Sequence, residues 1–129
     1  MRGYVAMTAK EVHEFLASGT FDVSDLYAST SQFIVDNQDL DDEEIEYTLS
    51  MVAAEDALDM KTADSGVACV LAFEIPATII SESHDMSVSL SAPLVWENVD
   101  CLFEVSSDGE ELTWFATQEI AENIQGWLG

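Results

Sequence analysis

The sequence predicts an α+β fold, a two-layer sandwich in which a mixed or antiparallel sheet carries helices mainly on one face. Three observations predict it. The periodicities run strand, helix, strand, helix, then mostly strands, then a terminal helix. Residues 66–75 are apolar on both faces, with Val67, Cys69, Leu71 and Phe73 alternating against Ala68, Val70 and Ala72, as in a strand at the middle of a sheet. Around Asp108-Gly109, a preferred type I′ turn pair, Val105 falls opposite Leu112, Phe103 opposite Trp114 and Cys101 opposite Ala116, all on one face.

In chain order, Gly3 to Met7 reads as a strand with Val5 and Met7 on one side. Thr8-Ala9-Lys10-Glu11 has the form of a capping box. Val12, Phe15 and Leu16 follow at helical spacing and Gly19 is a stop, which gives a helix over 9–18. Leu26 to Ser29 is a short strand, and Thr30 or Ser31 caps a turn holding Phe33 and Ile34. Asp41 is an N-cap, with Asp42, Glu43 and Glu44 at the positive end of the helix dipole. That helix runs to about Met60, with Ile45, Leu49 and Val52 in one apolar row and Tyr47, Met51, Ala54 and Leu58 in a second. Pro76 ends the central strand. Met86 to Ala92 alternates, with Met86, Val88, Leu90 and Ala92 inward. The Asp108-Gly109 hairpin competes with a helix capped at Asp108 and running through Ala116, and the register favours the hairpin. Thr117 then caps a last helix, from Gln118 to about Trp127, with Ile120, Ile124 and Trp127 inward and Trp114 in the core.

Charge narrows the function. The chain has 3 Lys and Arg against 26 Asp and Glu, a formal net charge of -23 at pH 7. Nucleic-acid binding requires cations to neutralise phosphates, and Arg2, Lys10 and Lys61 are too few. DNA, RNA and anionic membrane surfaces are expected to be repelled. Solubility in a salty cytoplasm is the plainer explanation of the acidity, and a basic partner protein or a divalent cation the functional one. No apolar run approaches the ~20 residues of a bilayer span. The opening Met1-Arg2-Gly3-Tyr4-Val5 lacks the apolar stretch of a secretory signal, which predicts a cytoplasmic protein with one domain over 1–129. Cys69 and Cys101, each inside an apolar run, read as buried free thiols.

Catalytic motifs are missing. An EF-hand loop begun at Asp39 meets Glu44 at position six and Ser50 at twelve, and one begun at Asn37 ends on Thr48. Ser83-His84-Asp85 holds the residue types of a hydrolase triad, but sequence neighbours do not supply that geometry, so a surface turn is expected. His13 has no second ligand at metal spacing. No catalytic residue, metal or cofactor is assigned.

Trp114-Phe115-Ala116-Thr117-Gln118-Glu119-Ile120 resembles the C-terminal signature of a small actinobacterial family of unknown function, commonly Trp-Tyr-Ala-Thr-Gln-Glu-Ile, with Phe115 in place of its Tyr. The opening strand and Glu43-Glu44-Ile45-Glu46-Tyr47 are similar to the family as well. The resemblance implies a shared fold and no activity. The leading expectation is a non-enzymatic interaction or regulatory module whose acidic face meets a basic protein partner. The alternative is a small enzyme or ligand-binding protein using Thr117, Gln118 and Glu119 at a helix start, with Tyr47 or Tyr4 nearby. A third reading makes the acidity salt adaptation alone. Homo-oligomerisation is left open.

Overall fold

Thr8 ends the first strand and starts the first helix. In the computed structural model, which describes Met1–Gly129, β1 (Arg2–Thr8) runs directly into α1 (Ala9–Ser18). Thr8 Oγ1 accepts from the Glu11 N–H (3.4 Å) and Glu11 Oε1 accepts from the Thr8 N–H (3.2 Å). Gly19 closes the helix in the left-handed region, φ 82°. After β2 (Thr20–Phe21) and β3 (Asp25–Ala28), Thr30 caps the short α2 (Ser31–Asp36). Asp41 and Glu44 form a second capping box at α3 (Asp42–Met60), as the acidic run predicts.

The rest is mostly strand: β4 (Ala68–Glu74), β5 (Ile80–Ser83), β6 (Ser87–Leu90), β7 (Leu94–Val95), β8 (Val99–Val105) and β9 (Leu112–Ala116), then α4 (Thr117–Leu128). Seven strands form one sheet in the order β5-β6-β3-β1-β4-β8-β9, while β2 and β7 pair separately. Every pairing is antiparallel. The α+β class and the antiparallel sheet are therefore as expected. No helix is long and apolar enough to cross a membrane.

The layering needs correction. Helices cover both faces, because β4 alternates between two cores. Cys69, Leu71 and Phe73 face Val12 and Phe15 of α1 and Ile120, Ile124 and Trp127 of α4. Ala68, Val70 and Ala72 face Ile45, Leu49, Ala53, Ala54 and Ala57 of α3. A strand apolar on both sides needs cover on both sides, so the order is helix, sheet, helix.

Smaller differences have local causes. The hairpin register is the expected one, Val105 with Leu112, Phe103 with Trp114 and Cys101 with Ala116. Its turn is not type I′, which needs positive φ at both central residues; only Gly109 is positive (φ 76°), and its N–H donates to the Ser106 carbonyl (2.9 Å). Trp114 is 58% exposed rather than core, because β9 is the sheet's outermost strand. Tyr47 is 57% exposed, the buried face of α3 being the alanine stripe. Met86 precedes the β6 ladder and packs on the α3 side, away from Val88. Ala116, not Thr117, is the N-cap of α4, and Glu119 Oε1 accepts its N–H (2.8 Å).

Candidate functional site

The first turns of α3 stand beside the β8–β9 hairpin, and a cleft of about 560 Å3 opens between them. Glu43, Glu46, Tyr47 and Ser50 line it from α3. Their spacing of three and four puts them on one stripe, next to the stripe that α3 buries. Glu110, Glu111 and Leu112 line it from the hairpin, and Tyr4 and Phe103 from the sheet. Tyr4 is fully buried, whereas Tyr47 leaves its ring accessible.

One cation lies in this cleft and it is already engaged. The Arg2 guanidinium meets Asp100 Oδ2 at 2.8 Å and Glu46 Oε1 at 3.4 Å. Its Nε donates to the Tyr4 hydroxyl (3.2 Å) and its carbon lies 5.9 Å from the Tyr4 ring centroid. Burial works against the Arg2 charge, but the Tyr4 hydrogen bond and the neighbouring Glu46 outweigh it and raise the pKa. Burial also pushes the Tyr4 hydroxyl up, opposed by Arg2. Glu43, Glu110 and Glu111 have no ion-pair partner, and neither Lys10 nor Lys61 pairs with a carboxylate. Uncompensated carboxylates beside exposed aromatic surface suit a cation carried on an apolar stem.

The residues singled out from sequence are divided. Tyr47 lines this cleft and Tyr4 forms its wall. Thr117, Gln118 and Glu119 belong to α4, on the other face of the sheet. The Thr117 hydroxyl donates to the carbonyls of Val99 (3.0 Å) and Asp100 (2.9 Å), while Glu119 is held by the Ala116 N–H. Both side chains are committed to backbone, and Gln118 points to solvent. Asp100 links the two regions, with its carbonyl on Thr117 and its carboxylate on Arg2. Glu110, Glu111 and Arg2 were not foreseen at a site. The hairpin register puts the two glutamates at its tip, but that α3 stands opposite them is a tertiary fact.

A second depression, about 430 Å3, lies by β3 and the β5–β6 turn. There Ser89 Oγ is 2.9 Å from His84 Nε2 and 2.6 Å from Asp25 Oδ1. A carboxylate does not donate, so the Ser89 proton goes to Asp25 and His84 serves as donor. This chain ties the turn to β3 and leaves Ser89 unactivated. His84 is exposed, in the surface turn expected for Ser83-His84-Asp85. Beside it, the Tyr27 hydroxyl donates to Asp56, which together with burial pushes its pKa up to about 12.

Cys69 and Cys101 are free and buried. Burial, then the nearby Glu104, pushes the Cys69 thiol up to about 12; burial also raises Cys101, with Arg2 opposing. Neither is an activated nucleophile. Three or more His, Cys, Asp or Glu side chains nowhere converge as metal donors.

Comparison with curated proteins and with solved structures gives no match. A family model described as a family of unknown function, DUF6912, matches residues 1–108. The matched stretch includes the opening strand and Glu43–Tyr47, and it ends before the Trp114–Ile120 segment. With most of its length matched, the chain belongs to the family of unknown function DUF6912.

Proposed function

We propose that this protein is a non-enzymatic interaction or regulatory module of the cytoplasm that receives a basic protein partner on its acidic surface, at the cleft between α3 and the β8–β9 hairpin. The observation that carries the reading is the set of unpaired carboxylates, Glu43, Glu110 and Glu111, arranged around Tyr47 in a cleft whose single arginine is already neutralised. The overall charge of -23 supports it, since such a field speeds the approach of a cationic partner and turns polyanions away. The Thr117 hydroxyl and the Glu119 carboxylate at the start of α4 are committed to backbone and only Gln118 is left to solvent, which gives the ligand reading based on Thr117, Gln118 and Glu119 less support than the cleft.

The test is a titration with a lysine-rich peptide and, separately, with duplex DNA, followed by calorimetry at low salt and at about 0.3 M salt. The peptide is expected to bind and to weaken steeply with salt, and Glu110→Gln with Glu111→Gln to weaken it further. No peptide binding at low salt, or tighter binding of DNA than of peptide, would overturn the proposal.

A further inference from the structure

The two edges of the seven-stranded sheet differ. At one end, β5 has four residues, a register shift between Ile80 and Glu82, and the Glu82 charge on the edge itself. Short length, irregular pairing and charge are how sheets guard an edge. At the other end, β9 has five residues, Leu-Thr-Trp-Phe-Ala, without charge, proline or register shift. Its hydrogen bonds show which groups face outward. The Ser106 N–H donates to the Glu111 carbonyl (2.9 Å), so bonded pairs recur at Glu104–Thr113 and Leu102–Phe115. Leu112 and Trp114 therefore turn N–H and C=O away from β8, toward open solvent. Their side chains share the face that holds the cleft, and the Trp114 ring is 58% exposed. Glu119, bonded to the Ala116 N–H, closes the far end of this edge.

We infer that β9 receives an extended, basic segment of a partner protein as an added eighth strand. Main-chain bonds would go to Leu112 and Trp114, and alternate side chains would cross Trp114 toward the glutamates of the cleft. The occupant follows from charge. A second copy of this chain would bring another net charge of -23 to an edge that begins at Glu110 and Glu111, whereas a lysine- or arginine-bearing strand relieves that repulsion. This inference rests on the basic-partner reading and adds the mode of engagement.

The experiment separates the two. The probe is a short acetylated peptide of alternating lysine and valine, with two relatives of equal charge. One is N-methylated at alternate residues on the side that would face β9, the other at the alternate residues on the opposite side. Binding is read from Trp114 fluorescence and by calorimetry with the intact protein. The parent and one methylated peptide are expected to bind alike, with a blue shift of Trp114 emission, and the other to lose at least about tenfold. Trp114→Phe, which keeps the strand but shortens the ring that the peptide crosses, is expected to lose the fluorescence change and to weaken calorimetric binding by less than the damaging methylation does. Equal, salt-sensitive binding of all three peptides would overturn strand addition and leave the acidic docking surface standing. Binding of none at low salt would remove both.

Discussion

Under α1 and α4 the sheet is covered by Phe15, Leu71, Phe73, Leu102, Ile120 and Trp127; under α3 the contact is made by Ala53, Ala54 and Ala57 against Ala68, Val70 and Ala72. The first face is filled by volume, including a ring cluster in which Phe15 lies 5.0 Å from Trp96 and 5.7 Å from Phe21 between centroids. The second has Ile45 and Leu49 as its bulk toward the start of α3, and from Ala53 to Ala57 it is filled by close approach of small residues. The difference separates tasks. The large face supplies most of the buried apolar surface. The close-packed face leaves the flanking stripe of α3 free to carry glutamates and a tyrosine into a cleft.

Five substitutions test this contrast. The largest effect is expected from Phe15→Ala, which removes a ring at the centre of the voluminous core; a loss of about 3–5 kcal/mol is expected in denaturant unfolding. On the other face the sensitive direction is reversed. Ala54→Leu forces bulk between α3 and the sheet and is expected to cost about 1–3 kcal/mol. It should also widen the cleft, read as altered Tyr47 and Trp114 fluorescence. If Ala54→Leu is neutral, the close-approach description fails.

The capping boxes compare the helices themselves. Thr8→Ala at α1 and Asp41→Ala at α3 are each expected to cost about 1 kcal/mol, with Asp41→Ala the more salt-sensitive since its role includes charge at a helix N-terminus. The smallest effect at neutral pH is expected from Tyr27→Phe, about 0.5–1.5 kcal/mol, as its hydroxyl no longer reaches Asp56 from the β3 side of α3. The folded state holds this phenol proton more tightly than the unfolded chain, with a pKa of about 12 against 10.0. The contribution is therefore whole below about pH 10 and is lost as pH rises through about 12. An absorbance titration should show a tyrosine ionising near 12 that Tyr27→Phe removes.

The parts of the fold legible in the sequence are those written in local chemistry. Thr8 with Glu11 and Asp41 with Glu44 mark helix starts because capping is satisfied within four residues. The β8–β9 register was legible because one face had to match across a turn, even though the turn itself is of another kind. What escaped depends on distant partners. β2 and β7, two residues each, are too short for a period to emerge, β5 carries a single apolar residue, and the pairings of all three are set by the strands they meet. The second helical layer was implied by the two-sided β4 but not which helix supplied it. Trp114 and Tyr47 look like core by composition; being on an edge strand and on the outer stripe of a helix is decided by sheet order and helix rotation. Of the site, Tyr47 was within reach of sequence reasoning. The pairing of Glu43 and Glu46 with Glu110 and Glu111 across a cleft joins segments over sixty residues apart.

β1 occupies the middle of the sheet, held by β3 on one side and by β4 on the other. During synthesis β1 is made well before Ala68–Glu74 and must wait for that strand before its second row of hydrogen bonds exists. Until then β1 has β3 alone beside it, and α3 lacks the part of its floor made by Ala68, Val70 and Ala72. Such distant closure makes folding slow and leaves a nascent chain exposed. The same carboxylates that shape the cleft would then act earlier in the molecule's life, keeping half-made copies apart by repulsion while the last strands arrive.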